Sequence, residues 1–203
     1  MHTPNKKSLS ELANIRTGYT FRGKVEEISD GNAHLLQIKD ARLQREENKS
    51  DIIDAPSLPQ INWEGKQNAF VDSGTVLLPA RGGYFRSSLF TGGDSLPIVA
   101  SSQFILITPY NDTVVPEFLC WSLNRPLTQR YLEDIASQGS NISMLSTATV
   151  KDLKIEIPSV ETQFKILHIN KLWEEEQKLT QALLNNREIM LQGMFQQLLK
   201  ENK

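Results

Sequence analysis

At 203 residues, 39% hydrophobic and 23% charged, the chain can build one core of ordinary size plus an appendage, and no apolar run approaches membrane-spanning length. A single cysteine, Cys120, excludes an internal disulfide, and the three histidines are too scattered to form a zinc set. The formal net charge is −2, with 16 basic and 18 acidic residues up to position 158 and 6 of each beyond it. Bulk basicity of the kind usual in nucleic-acid binders is therefore missing, and any contact with DNA must use a local patch. MHTPNKK leads into no apolar signal region, so no secretion signal is expected and the cytoplasm is the default location.

In chain order, "SLSELANIRTGYTF" (8–21) opens with Ser8 and Glu11 in capping-box spacing. Leu9, Leu12, Ala13 and Ile15 supply a short apolar helical face, with Gly18 as its stop. "HLLQIK" (34–39) reads as a strand, and residues 40–70 read as a polar, proline-punctuated excursion over the surface. Between 74 and 109, strand-like runs at 76–78, 98–99 and 104–107 alternate with glycine pairs. That pattern predicts an antiparallel, β-rich core with an exposed turn at Gly82-Gly83. Pro116 and Pro126 each begin a short helix, since proline suits a first helical turn. "SQGSNIS" (137–143) is a polar loop, Thr149 caps a brief helical turn, and "KIEI" (154–157) is a last strand ended by Pro158. The expected class is α+β, with residues 1–158 as one β-rich domain carrying short helices.

Residues 159–203 have a different character. Ser159 is a good N-cap, Glu161 suits the positive end of the helix dipole, and 160–199 holds no proline and one glycine, Gly193. Leu172, Leu179, Leu183, Met190, Met194 and Leu198 form an apolar stripe, continuing Phe164 and Leu167 at spacings mainly of three, four and seven. Trp173, Leu184, Leu191 and Phe195 widen its flank. A continuous helix here is a rod of roughly 60 Å, whose stripe requires a partner. Glu176 and Asn186 interrupt the repeat, and polar residues on such a seam can fix register. The alternative is a helix that doubles back through "NNRE" (185–188); two asparagines are a weak break, which favours the continuous rod.

Catalytic chemistry finds no constellation. His2, His34 and His168 are isolated from carboxylates and nucleophiles, and Cys120 in "FLCWSL" reads as a buried small hydrophobe. "TGGDS" lacks the lysine and helix of a phosphate loop. Polar recognition is better represented, in four loops. The first offers Tyr19, Thr20 and Arg22 beside Arg16 and Lys24; the second offers Lys39 and Arg42 beside Gln44 and Arg45. The third offers Arg81, Tyr84, Arg86 and Ser87 with the backbone amides of Gly82 and Gly83, and the fourth Gln138, Ser140 and Asn141. Arginine reads guanine bidentately, Asn or Gln reads adenine, and hydroxyls and amides hold phosphates. Each loop alone is an ordinary solvated turn; their collective occurrence around one core is what points to DNA.

The chain resembles the specificity (S) subunits of type I restriction-modification systems. "LSELANIRTGYTF" is similar to the opening of the family's target-recognition domain, and "GTVLLPARGG" to its G-D-[IV]-L-[IV]-x-x-R-G strand and loop, with Thr75 where Asp is common. "VPEFLCWSLN" resembles the family's P-x-[FY]-L-x-x-x-L helix. "ASQGSNISMLSTATVKDLKIEIPSVETQFKI" resembles the passage that closes the domain, with Ser159-Val160 and Thr162 replacing the usual second Pro and the Glu before Gln.

The resemblance implies a non-catalytic reader of double-stranded DNA: 1–158 as target-recognition domain and 159–203 as a spacer and dimerisation helix in an antiparallel coiled coil. It implies a methylating (M) subunit that holds S-adenosylmethionine and modifies adenine, no cofactor in this chain, and a motor-nuclease (R) subunit where cleavage follows. Family members usually carry two such domains and two helices. One of each implies a half-length form, whose homodimer would read two inverted, identical half-sites. The competing expectation is an orphan assembly or regulatory protein that pairs with specificity or methylating subunits through its helix without productive reading. A small enzyme is disfavoured by the missing constellation.

Overall fold

The computed structural model describes residues 6–92, 96–110, 113–137 and 143–201. Residues up to Gln163 make one compact unit and those from Phe164 another.

The first unit opens with Lys6–Ser8 (β1), one turn of helix at Leu9–Leu12 (α1), and Ala13–Thr17 (β2). The Ser8 backbone N–H donates to the Glu11 carboxylate at 2.7 Å, as the capping box requires. The helix is shorter than the apolar face to Ile15 predicts. Leu9 and Leu12 are buried at helical spacing, but from Ala13 burial alternates, with Ala13 and Ile15 inside and Asn14 out. The period has changed from helix to strand.

Ala33–Leu36 (β3) is followed by Ile38–Asn48 (α2), which replaces the first part of the expected surface excursion. The Gln37 N–H donates to Asp40 at 2.9 Å at its start, and Lys49, at φ 51°, closes it in the left-handed conformation. Only Ala41 and Gln44 of this helix are buried, so it has no apolar stripe for a periodicity search to find.

Then come Gln60–Ile61 (β4), Thr75–Pro79 (β5), Ser88–Phe90 (β6), Ile98–Ala100 (β7) and Phe104–Pro109 (β8). Helices Pro116–Asn124 (α3) and Pro126–Ser137 (α4) each start at their proline, as expected. Thr147–Lys151 (α5) is capped by Ser146, which accepts from the Thr149 N–H at 3.0 Å, so Thr149 is inside the helix and not its cap. Lys154–Glu156 (β9) pairs antiparallel with β1, with Lys7 opposite Ile155.

The four-stranded sheet β2-β8-β5-β6 is antiparallel, with Ile15 opposite Ile107 and Leu77 opposite Leu106. The three-stranded sheet β4-β3-β7 is mixed. β3 and β7 run parallel, Leu35 facing Val99, so the wholly antiparallel core expected from the sequence is corrected here. Parallel neighbours need a long crossover, and residues 37–97 provide it. Leu36, Leu77, Ile98, Phe104 and Leu106 fill the core of the unit, each no more than 1% exposed. Burial of that completeness stabilises by roughly 1.5–3 kcal/mol per side chain before entropy is set against it.

The last element, Val160–Glu201 (α6), is one unbroken helix of 42 residues, about 63 Å at 1.5 Å per residue. It runs straight through Asn185-Asn186, so the doubling-back alternative is not realised. Its first turn belongs to the first unit and is pinned by Gln163, which is fully buried. The Gln163 Oε1 accepts from the Val115 N–H at 2.9 Å, and its Nε2 donates to the Thr113 and Pro158 carbonyls at 2.8 and 2.9 Å. Farther along, Leu172, Leu179, Leu183, Met190, Met194 and Leu198 are 51–71% exposed.

Candidate nucleic-acid interface

Two stretches far apart in sequence, α2 and the turn after β5, meet on the first unit. Gly82 and Gly83 have φ of +100° and +67°, conformations that side chains disfavour, and both are exposed. An Arg42 guanidinium nitrogen lies 3.2 Å from where a Cβ on Gly82 would sit. One helical turn on, the Arg45 guanidinium lies 5.9 Å from the centre of the Tyr84 ring. The Gly82 N–H donates to the Ser143 carbonyl at 3.4 Å, and Arg81 forms a bridge with Met144, which brings in the near end of the fourth polar loop. Gln138, Ser140 and Asn141 themselves lie outside the described residues.

At the start of α2, Lys39 pairs with Glu27, three residues beyond the first loop, at 2.8 Å, and that hydrogen bond raises the lysine pKa. Thr20 and Arg22 are exposed. Tyr19 is partly exposed and packs edge-on against Phe21 and Trp63, with ring centres 5.0 and 4.7 Å away. Its neighbour Gly18 admits no side chain, because a Cβ there would run into the Ser101 carbonyl. Arg22, Arg42 and Arg81 are exposed and form no ion pair among the described residues.

Several nominated side chains turn out to be internal. Ser87 is fully buried, and its hydroxyl donates to Asn124 Oδ1 at 2.8 Å, so it presents nothing to a ligand. Gln44 is also buried; its amide clamps the Asp54 backbone, donating at 2.8 Å and accepting at 2.9 Å. Arg16 donates to the Phe70 carbonyl at 2.6 Å. Arg45 and Arg86 converge on Asp51, which the sequence reading passed over. Arg45 Nε reaches Asp51 Oδ1 at 2.7 Å, and Arg86 reaches Oδ1 through Nε at 2.8 Å and Oδ2 through Nη2 at 2.7 Å. Asn124 Nδ2 adds a fourth donor at 3.1 Å. Burial pushes the Asp51 carboxyl up, but the Arg86 and Arg45 contacts outweigh it, so its pKa ends below the usual carboxylate range. Arg86 is raised in turn, first by its hydrogen bond to Asp51. Nothing in "KSDIID" marks this aspartate, because two of its three partners, Arg86 and Asn124, are 35 and 73 residues away.

Cys120 is buried, and desolvation pushes its thiol up to about 12, the opposite of a nucleophile's shift. His34 lies in β3 with Nδ1 3.1 Å from the Leu58 carbonyl. Among the described residues no three His, Cys, Asp or Glu side chains could share a metal ion, and no helix is long and apolar enough to cross a membrane.

A face built from exposed arginines, a glycine turn and a helix flank is equipped to hold a polar partner, which places the chain among recognition modules. Residues 2–186 match the family model of the type I restriction modification DNA specificity domain, and the chain belongs to that family. It is 29% identical over 136 residues to the type I restriction enzyme HindI specificity subunit of Haemophilus influenzae. That match covers 64% of this chain and 29% of the relative. The fold is shared with the HsdS subunit from Thermoanaerobacter tengcongensis, with a TM-score of 0.62 at 16% identity, over 88% of this chain and 39% of that one. A structure concerned with complex assembly and conformational transition of the type I R-M system gives 0.63 at 15% identity, over 90% and 42%. The chain thus spans well under half the length of each of these proteins.

Proposed function

We propose that this chain reads DNA sequence for a type I restriction-modification system, with catalysis carried by partner subunits. The supporting observation is the meeting of α2, the Gly82-Gly83 turn and the near end of the 137–143 loop on one unit of this family's fold. Arg42 and Arg81 supply forked donors there, able to take base edges or phosphates, and the exposed backbone of the glycine turn suits close approach to a phosphate. In this reading Tyr19, Thr20, Arg22 and Lys39 extend the contact, and Tyr84 offers an aromatic face beside Arg45. Net charge near zero is tolerable because a methylating subunit would supply much of the backbone clamp.

In the same reading the exposed stripe of Leu172, Leu179, Leu183, Met190 and Met194 packs against a second copy in an antiparallel coiled coil. The two-fold pair then addresses a bipartite palindromic site. The methylating subunit, with S-adenosylmethionine, modifies adenine within it, and a motor-nuclease subunit joins where restriction follows. The complex works in the cytoplasm.

The test is to co-express the chain with a methylating subunit from the same source and sequence the host DNA for modified adenine. The expected result is methylation at one motif with two inverted half-sites a fixed distance apart. A complex that forms but marks no motif would refute productive reading and favour the assembly-protein alternative. Arg81→Ala should weaken specific binding by about 1–3 kcal/mol while leaving self-association intact.

A further inference from the structure

We infer that Asp51 is a positioning residue that presents the outer edge of Arg86 to a guanine of the target half-site; this rests on the DNA-reading function proposed above. The observation behind it is which edge of the guanidinium is occupied. Asp51 takes Nε and Nη2, the two donors along one side of the group, with its own two oxygens at 2.8 and 2.7 Å. Arginine has five N–H donors in a rigid plane. The side-on contact leaves the opposite edge, formed by Nη1 and the second Nη2 hydrogen, without a protein acceptor among the described residues. That edge still carries two parallel N–H donors, as bidentate pairing with guanine O6 and N7 requires.

The two arginines on Asp51 are not equivalent. Arg45 is 14% exposed and its Nη2 is fully engaged, donating to the Ser88 hydroxyl at 2.8 Å and to the Arg86 and Ser87 carbonyls at 3.2 and 3.3 Å, so no edge with two open donors remains on it. Arg86 is 40% exposed and, among the described residues, its side chain is bonded along its inner edge alone. Asp51 is itself immobilised: its carbonyl accepts from the Leu89 N–H of β6 at 2.7 Å, and Asn124 ties its carboxylate to the Ser87 backbone. The arginine fork is therefore oriented before any ligand arrives, which lowers the ordering cost of binding.

The carboxylate also discriminates between ligands. An anion such as phosphate is attracted by net charge, which a neighbouring Asp reduces. A guanine edge is neutral, so fixed direction matters more than charge. The brace favours a base over the backbone.

The experiment uses the full chain in complex with its methylating subunit and a duplex carrying the methylated motif. Each guanine in turn is replaced by 7-deazaguanine, which lacks the N7 acceptor. One guanine per half-site should lower wild-type binding by about tenfold when so replaced. Arg86→Lys, which keeps the charge and loses the fork, should be indifferent to that replacement. Asp51→Asn should lose discrimination at that base pair alone; if Asp51→Asn does not fold, Asp51→Glu, with the carboxylate one methylene farther out, serves in its place. The inference is overturned if no guanine is sensitive, or if the Asp51 variant weakens binding evenly across all positions. It is equally overturned if Arg86→Lys binds like wild type while a methylphosphonate in the backbone removes the contact, which identifies a phosphate. A complex with no methylated motif removes the DNA-reading proposal and this one together, whereas a motif without a sensitive guanine removes only this one.

Discussion

Replacing Asp51 with alanine strands two guanidinium groups that it now pairs with. Arg45, with 14% of its side chain exposed, has little route to water, and its Nε loses a 2.7 Å partner. Arg86, 40% exposed, can regain hydration on its outer side. Removing one member of a buried ion pair costs about 3–5 kcal/mol, and discounting the Arg86 share toward an exposed pair leaves about 3 kcal/mol. For a unit of this size that lowers the melting temperature by about 6–12 °C. The assay is thermal unfolding at equal protein concentrations, since the proposed self-association would make the midpoint concentration-dependent. The pH dependence carries a sign. The folded Asp51 pKa lies below its unfolded value of about 3.9, so the stabilisation is complete above about pH 5 and is lost as pH falls through the folded value. The gap between wild type and Asp51→Ala should therefore close in acid. A variant melting within about 2 °C of wild type at pH 7, or a gap that widens below pH 4, would refute the brace.

Replacing Leu179 and Leu183 together with aspartate should yield monomers by light scattering, because each places a charge on the exposed stripe of α6; an unchanged mass would remove the helix from the interface. Cys120, with its thiol raised to about 12, should resist alkylation at pH 8 in the native protein and react only in denaturant; rapid native labelling would contradict its burial.

Elements whose cause lies within a few neighbouring residues were legible. The capping box at Ser8, the prolines opening α3 and α4, and the proline-free apolar stripe of α6 all need contacts no farther than one helical turn. The turn at Gly82-Gly83 was legible too, since positive φ has its own residue preference. α2 was missed because it is stabilised by Gln44 bonding across to Asp54 and Ser57 rather than by an apolar face. The parallel pairing of β3 with β7 was missed because periodicity carries no information about direction or partner.

The same division runs through the candidate interface. Composition and turn chemistry nominate arginines and serines in loops, but cannot separate those facing solvent from those facing inward. Arg42 and Arg81 proved exposed, Ser87 buried, and Arg86 braced by an aspartate 35 residues away. The sequence by itself determined the family and the extent of the long helix, because each rests on local pattern or ordered motifs. The tertiary structure alone decided which donors point outward and along which edge, because that depends on which distant acceptors the fold brings within 3 Å.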